Sequence, residues 1–169
     1  MRWLDVAGPP GSGKSTLCDT IWGPHDMEFS NQLPPVAWQD FSNEATRLFG
    51  LLKDHRSFIP LVRMHRRSFR KMTSVFYDDR DTAYVQTGFV QRGLGIGWRM
   101  VDTGIDLNEL RHFFRLMPVS VGVAFCKVDP EVVKQRNADR EKVKETAHEN
   151  RAFMVELMEP AINVAREEL

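Results

Sequence analysis

The sequence predicts an α/β fold in which a short parallel β-sheet is covered by helices on both faces. Apolar, strand-like segments alternate with segments of helical periodicity along the 169 residues, an order typical of parallel sheets. A glycine-rich stretch, GPPGSGKST, joins the first predicted strand to the first predicted helix. The clearest strand, VSVGVAFCKV, runs directly into the helix-start motif Asp-Pro-Glu. A chain of this length forms one domain, residues 1–169, with a substantial core.

In the first half of the chain, apolar spacing and turn residues define the elements. The first helix is expected to end at Trp22, because Gly23 and Pro24 follow it. The second strand is expected to end in the polar stretch that begins at Asp40. The predicted strands are residues 3–7, 36–39 and 82–87, and the predicted helices are residues 14–22, a helix from residue 43, and residues 60–76.

In the second half, the strongest local signal is a helix start at Asp129. This aspartate is a good capping residue, Pro130 suits the first turn, and Glu131 places an acid at the positive end of the helix dipole. Asp106 opens another predicted helix, with Glu109 at capping-box spacing. The remaining predictions are a strand at residues 119–128, a polar segment at 136–151 and a last helix at 151–169.

The composition is that of a soluble globular protein, with 42% apolar and 27% charged residues. The 23 basic and 23 acidic side chains give no net charge, which offers no global case for nucleic acid but allows a local basic patch. Cys18 and Cys126 lie in apolar runs and are expected to be buried, reduced thiols. The histidines show no metal-ligand spacing, and without a signal peptide or long apolar run the chain is expected to be cytoplasmic.

The spacing within GPPGSGKST, residues 8–16 and called here the glycine-rich loop, matches the phosphate-binding pattern G-x-x-x-x-G-K-[ST]. Glycines let backbone N–H groups turn inward, and the following helix adds its positive dipole end, so the loop suits a chain of phosphates. Lys14 is expected to reach the outer phosphates, Ser15 to ligate Mg²⁺ and Thr16 to bond an inner phosphate. The residues predicted to bind ATP are Gly8, Gly11, Ser12, Gly13, Lys14, Ser15 and Thr16.

Asp40 is the first candidate for chemistry outside the glycine-rich loop. At the end of a second strand, its carboxylate would stand at the sheet edge nearest the loop. There it can act as a general base on an attacking hydroxyl, or hold a magnesium-bound water. The alternative is a cap, from Asp40 or Ser42, for the helix predicted from Asn43. The third strand ends in Gln86 and Thr87 instead of a carboxylate, which leaves Asp40 as the acid to test.

Arginines at two further places are candidates for binding phosphate. Arg92 follows the third predicted strand and can contact an acceptor phosphate. Arg136 and Arg140 are four residues apart, so they share a helix face in a segment, about residues 130–151, that can fold over the transferring phosphate as a lid. For each of these arginines, the alternative is a solvated position on a helix.

A basic helix face precedes the third strand. In IPLVRMHRRSFRKM, the basic residues fall on one face of a helix, and no acid occurs between Asp54 and Asp78. An uninterrupted basic face favours an anionic partner, either a nucleotide phosphate or a polynucleotide backbone, over a simple solvated surface. The helices at about residues 43–76 are therefore placed on the acceptor side. The basic residues are Arg63, Arg66, Arg67, Arg70 and Lys71.

These segments together resemble the P-loop kinases of the nucleoside, nucleotide and polynucleotide kinase group. The resemblance covers most of the chain and rests on GPPGSGKST, Asp40, TGFVQR and VDPEVVKQRNADR. TGFVQR is similar to the Asp-Gly-Phe-Pro-Arg stretch of adenylate kinases, with Thr87 in place of the aspartate. The resemblance implies a three-layer P-loop NTPase fold of kinase type with an arginine-bearing lid. It also implies that the catalytic residues are Lys14, Asp40, Arg136 and Arg140.

The resemblance implies an enzyme that uses ATP and Mg²⁺ to phosphorylate a hydroxyl of a nucleotide or nucleic acid. Small size, the missing third-strand acid and the basic helix favour a polynucleotide acceptor, as in bacteriophage 5-hydroxymethyluracil DNA kinases, which would work in the host-cell cytoplasm. A nucleoside monophosphate or deoxynucleotide kinase is the alternative. A GTPase should carry the guanine-binding motif Asn-Lys-x-Asp, which is absent. A motor ATPase should have an apolar strand that ends in adjacent acids, whereas the strand VGVAFCKVD ends in one aspartate that is followed by proline. Both classes are therefore less favoured than a kinase.

Overall fold

The structure is a computed structural model that describes residues 2–22, 37–63, 65–66, 82–85, 88–117, 121–129, 131–133, 135–136 and 151–169. Its strands are β1 (Arg2–Ala7), β2 (Thr82–Val85) and β3 (Val121–Phe125). Its longer helices are α1 (Lys14–Trp22), α2 (Ala37–Leu51), α3 (Phe89–Thr103), α4 (Asn108–Arg115) and α5 (Arg151–Glu168). Helical turns also occur at residues 58–63, 65–66, 131–133 and 135–136.

Among the described residues, β1 is the central strand of a three-stranded parallel sheet with the order β2-β1-β3. Its register pairs Asp5 with Val85 on one side and with Val123 on the other. Because the strands are parallel, their carboxyl ends lie at one edge of the sheet, where functional segments of α/β proteins usually gather. At this edge the glycine-rich loop follows β1, and residues 126–129 follow β3.

A helix occupies the place of the second predicted strand, so that prediction was wrong. α2 begins at Ala37, and Asp40 lies in its first turn instead of at a strand end. A short apolar run cannot be assigned to strand or helix by periodicity alone, and here helical spacing further along the segment decides the outcome. The side chains that this spacing buries are Phe41, Ala45 and Leu48. Val36 lies outside the described residues.

α3 fills a segment in which a helix was expected only as the alternative for Arg92, and its glycines explain its packing. An ideal Cβ at Gly93 would lie 2.6 Å from Cζ of Phe114, and one at Gly97 would lie 2.8 Å from Cδ2 of Leu110. These glycines are therefore the places where α4 and α5 approach the α3 backbone. The contact between α3 and α5 is the most extensive between any two described elements. The helix ends at Gly104, which adopts a left-handed cap with φ of 71°.

Several other predicted elements are confirmed in the described residues. α1 and α5 lie where they were expected, and the Asp129 side chain accepts a hydrogen bond from the Glu131 N–H at 2.8 Å, as a helix cap does. Asp106 accepts likewise from the Asn108 N–H at 2.9 Å. The capping-box role predicted for Glu109 was wrong, because its carboxylate instead bonds Arg47 of α2 at 2.7 Å.

The core forms between the helices and the sheet, around the aromatic side chains of Phe41, Phe89, Phe113 and Phe114. Cys18 is buried and Cys126 is half-buried, and both are free thiols. Among the described residues, no helix combines the length and the apolar character needed to cross a lipid bilayer.

Candidate functional site

The glycine-rich loop connects the carboxyl end of β1 to α1. Gly8, Gly11 and Gly13 have φ angles of 152°, 86° and 88°, all in the region that favours glycine over residues with a Cβ. An ideal Cβ at Gly8 would also lie 3.0 Å from Ser12 Oγ and 3.1 Å from the Cys126 carbonyl oxygen. The glycines identified in the sequence therefore occupy positions that the backbone path reserves for them.

Lys14 carries a positive charge at the first residue of α1. Its Nζ atom donates hydrogen bonds to the carbonyl oxygens of Gly8 at 2.8 Å and Pro9 at 2.9 Å. The helical hydrogen bonding of α1 starts beside it, where the Leu17 N–H donates to the Gly13 carbonyl oxygen at 2.9 Å. The loop thus holds an ammonium group next to the amino end of a helix, a combination that attracts anions.

Three hydroxyl side chains of the loop differ in their surroundings. Ser15 and Thr16 are exposed, and the Ser15 oxygen suits Mg²⁺, which takes one or two protein ligands when it also binds phosphates and waters. Ser12 is buried, and its Oγ atom has no hydrogen-bond partner among the described residues. A buried hydroxyl of this kind is a polar group that a phosphate oxygen can satisfy.

The first turn of α3 and the residue after β3 hold the loop from two sides. Oε1 of Gln91 accepts a hydrogen bond from the Gly8 N–H at 2.9 Å. The Cys126 N–H donates to the Ala7 carbonyl oxygen at 2.8 Å. The role of Gln91 was missed in the sequence, although it stands in the TGFVQR segment, because its partner is 83 positions away.

Asp5 is a second residue whose role was not predicted from the sequence. It lies in β1 with 1% of its surface exposed, and its Oδ2 atom accepts a hydrogen bond from the Val90 N–H at 2.8 Å. Burial raises the pKa of Asp5 to about 7, while backbone N–H groups at the start of α3 and the charges of Arg92 and Lys14 pull that pKa down. A signal was present in the sequence, since an acid inside an apolar strand is unusual.

Arg92 lies in the first turn of α3, two residues beyond the Asp5 contact. Its Nε atom is buried and has no hydrogen-bond partner in the described part of the chain. Burial lowers the pKa of Arg92 to about 10, and the nearby charge of Asp5 opposes that change. Since Gln91, the preceding residue, accepts a hydrogen bond from the loop, Arg92 lies on the α3 turn that contacts the loop, and its contact to an acceptor stays a prediction.

Arg136 is the predicted lid residue that the structure brings to the loop. Its Nη1 atom donates a long hydrogen bond of 3.4 Å to the Gly11 carbonyl oxygen, and it lies 3.6 Å from an ideal Cβ at Gly13. A guanidinium at this position can contact an anion held by the loop. Arg140, the other predicted lid residue, is outside the described residues.

Asp40 is exposed and lines a groove of about 400 Å³ between α2 and α4. Among the described residues, no hydrogen bond or ion pair connects Asp40 to the glycine-rich loop, and no cluster of three metal-binding acid, histidine or cysteine side chains occurs. The strand-end argument for Asp40 as base or magnesium ligand is therefore lost. The other residues lining this groove are Asn43, Glu44, Arg47, His112 and Leu116.

The basic helix is described only in part. Arg63 and Arg66 are exposed, as the predicted basic face requires, and His65 is buried against the Phe49 ring, with ring centroids 4.8 Å apart. Burial and then the charge of Arg92 lower the pKa of His65 to about 4, which keeps it neutral. The remaining members of this face, Arg67, Arg70 and Lys71, lie outside the described residues.

A cavity of about 490 Å³ opens beside this helix. Its walls combine two phenyl rings, hydroxyl groups and the Arg66 side chain, a mixture suited to a flat ring with polar edges. The residues lining it are Ser42, Thr46, Phe49, Gly50, Phe58, Val62, His65 and Arg66.

The arrangement gathers three cationic side chains near one glycine-rich turn. Lys14 and Arg136 contact the loop itself, and Arg92 stands on the α3 turn that Gln91 fastens to it. Such a site can bind a polyphosphate and offset charge that develops on it. No protein-family model, curated protein or solved structure matches this chain.

Proposed function

We propose that this protein is a P-loop kinase that transfers the γ-phosphate of ATP to a hydroxyl of a nucleotide or nucleic acid. One observation carries the proposal. Gly8, Gly11 and Gly13 all have positive φ angles in a turn between a central parallel strand and a helix, and Lys14 bonds back to that turn. This is the arrangement that a phosphate-cradling loop requires.

Phosphoryl transfer depends mainly on alignment and charge neutralisation, and the chain has residues for both. The loop N–H groups and the α1 amino end orient the phosphates, and Lys14 reaches towards the transferring group. Arg136 stabilises the charge that develops on its oxygens. Mg²⁺, held through the Ser15 hydroxyl, would supply additional neutralisation between the phosphate groups. Arg92 binds or orients the acceptor.

The acceptor we favour is a hydroxymethylated pyrimidine base, such as 5-hydroxymethyluracil, within DNA. The exposed side chains of Arg63 and Arg66 support a polyanionic partner, because a backbone of phosphates meets several such charges at once. A base displaced from the duplex would present its hydroxyl to the loop.

A nucleoside monophosphate kinase is the second candidate, and the cavity beside the basic helix favours it. The volume of about 490 Å³ has room for a single nucleoside. The phenyl rings of Phe49 and Phe58 can stack on a base, and Arg66 at its edge can bind the 5′-phosphate.

The test is a transfer assay with γ-labelled ATP and Mg²⁺. The protein is incubated with nucleosides, nucleoside monophosphates, ordinary DNA and DNA that contains 5-hydroxymethyluracil. We expect label on the hydroxymethylated DNA and only slow release of inorganic phosphate without an acceptor. Label on a free nucleotide alone would favour the second candidate.

Rapid hydrolysis that no acceptor changes would contradict both kinase proposals and favour an NTPase motor or switch. A matched reaction with EDTA tests the requirement for Mg²⁺, because chelation should abolish transfer. A parallel reaction with labelled GTP tests the choice of donor.

A further inference from the structure

The Asp5 carboxylate is buried beneath the start of α3, and the phosphoryl transfer proposed above gives it no role. It is 1% exposed, in the centre of the sheet, and aspartate is rarely found there without a partner. Its Oδ2 atom accepts a hydrogen bond from the Val90 N–H at 2.8 Å. Its Oδ1 atom is buried and has no hydrogen-bond partner among the described residues.

The backbone at Gly88 is shaped around this carboxylate. An ideal Cβ at Gly88 would lie 2.7 Å from Cγ of Asp5, so any larger residue would displace one of the two groups. The Val90 N–H is one of the first in α3, where backbone donors need a partner from outside the helix. Helices are usually capped by the side chain of their own N-cap residue, but the N-cap residue of α3 is Gly88, which makes no such hydrogen bond. Asp5 therefore caps α3 from the neighbouring strand β1.

The capped turn is the one that contacts the glycine-rich loop. Gln91 lies between Val90 and Arg92 in this turn, and its Oε1 atom accepts a hydrogen bond from the Gly8 N–H at 2.9 Å. Asp5 and Gly8 are three residues apart in the chain, so two hydrogen bonds fasten a single α3 turn to β1 and to the loop that follows it. A shift of that turn would move Gln91 and Arg92 together.

We propose that Asp5 is a positioning residue for phosphoryl transfer. Its carboxylate fixes the first turn of α3, and that turn sets the path of the glycine-rich loop through Gln91 and the approach of Arg92 to the acceptor. Only the expected effect of Asp5 on turnover rests on the kinase function proposed above. The structural coupling from Asp5 to the loop can be tested without any activity.

The first measurement is hydrogen–deuterium exchange of the ligand-free protein. Asp5→Ala removes the cap, and Asp5→Asn keeps an oxygen that can accept the Val90 N–H. We expect Asp5→Ala to raise exchange about tenfold or more in the start of α3 and also in residues 8–16, the scale of a lost buried hydrogen bond. Asp5→Asn should restore protection at least to within about threefold of that in the original protein.

The second measurement separates binding from turnover. We expect Asp5→Ala to lower kcat about tenfold or more. ATP affinity, measured by titration calorimetry, should fall by a smaller factor, and Asp5→Asn should recover most of the kcat and most of the affinity. Asp102→Asn is the matched control, because it alters a carboxylate at the other end of α3 that bonds His55 at 3.0 Å. It should leave exchange in residues 8–16 unchanged.

Different outcomes overturn different statements. Unchanged exchange in residues 8–16 of a folded Asp5→Ala protein would overturn the inference, whatever the activity. An original protein that neither binds ATP nor transfers phosphate would overturn the kinase proposal and leave the exchange test in force. If Asp5→Ala does not fold, Gly88→Ala displaces the carboxylate instead, and loop exchange equal to that of the original protein would then overturn the inference.

Discussion

At the scale of single residues, Lys14 is the charge most directly attached to the glycine-rich loop. Its ammonium donates hydrogen bonds to two loop carbonyl oxygens, and the proposed phosphoryl transfer would need that charge when negative charge builds on the transferring group. We expect Lys14→Ala to lower kcat by roughly 10²-fold or more while the circular dichroism spectrum stays unchanged. Lys53→Ala, at an exposed lysine in the turn after α2, is the control. Near-normal turnover of the Lys14 variant at saturating Mg-ATP would contradict the role of the loop.

Asp40 was predicted to be a general base because it was expected at the end of a strand, but it lies in the first turn of α2. If Asp40 were a general base, Asp40→Asn would lower turnover by roughly 10²-fold. From its exposed place in the first turn of α2, we expect less than about a threefold loss, because the carboxylate there mainly complements the helix dipole. Steady-state kinetics with the acceptor identified by the transfer assay decide between the two. A large fall in kcat with ATP binding retained would restore the base assignment.

Single residues were predictable where their signal is local. The glycine pattern and Lys14 stand within nine consecutive letters, and the Asp129 cap depends on the residue two positions on. An acid in an apolar strand marks Asp5 as unusual, but the partners of Asp5 and Gln91 were not predictable in this way, because they lie 85 and 83 positions away. Their roles follow from which strands are neighbours in the sheet, and a single sequence does not state that order.

At the scale of elements, the packing of α3 on α5 depends on Gly97. An alanine there would place its Cβ in steric overlap with Ala161 and 2.8 Å from Leu110 Cδ2. We expect Gly97→Ala to lower the free energy of unfolding by about 1–3 kcal/mol, because overpacking exceeds the gain in helix propensity. For a chain of this size the melting temperature should fall by about 2–10 °C, measured by thermal unfolding.

Gly50→Ala provides the control for that substitution. Gly50 lies in α2, and nothing stands within 4 Å of its ideal Cβ, so alanine should stabilise the protein by about 0.5–1 kcal/mol. Ala161→Gly in the Gly97→Ala background should recover part of the loss by removing the overlapping methyl group. A Gly97→Ala protein as stable as the original would show that α3 and α5 do not pack as closely as described.

Elements were predictable where apolar periodicity was long enough to exclude alternatives. α5, expected at residues 151–169, buries apolar side chains at helical spacing, among them Val155, Met158 and Ile162. The four-residue run at 36–39 fits strand and helix equally, and the buried side chains of Phe41, Ala45 and Leu48 decide for a helix. α3 was missed because its glycines weaken helix propensity, although in the folded chain they are the positions where neighbouring helices come close.

At the scale of the whole molecule, Asp5 should make stability depend on pH. Its pKa is raised from 3.8 to about 7 by burial, so the folded state favours the protonated form. The stability it contributes is complete below about pH 4 and is lost as the pH rises to 7, with a maximum difference of about 4 kcal/mol. We expect Asp5→Asn to gain stability over the original protein across that interval. Urea denaturation at pH 4, 5.5 and 7 measures this, and a constant difference between the two proteins would contradict it.

The net charge of zero makes the response to salt a test of local charge. If DNA is the acceptor, exposed arginines such as Arg63 and Arg66 meet phosphates and release counterions, so log affinity should fall with log salt at about −0.9 per phosphate contact. Arg66→Glu should make that slope shallower by about one contact and leave ATP binding unchanged. Lys53→Glu is the control, because it reverses one exposed charge outside the basic face. Fluorescence anisotropy of labelled DNA across a salt series measures both. If the two variants have equal effects, the basic face does not bind DNA specifically. If the protein does not bind DNA at low salt but phosphorylates a free nucleotide efficiently, the DNA proposal is likewise contradicted. In either case the basic face would bind the acceptor phosphate of a nucleotide or be a solvated surface.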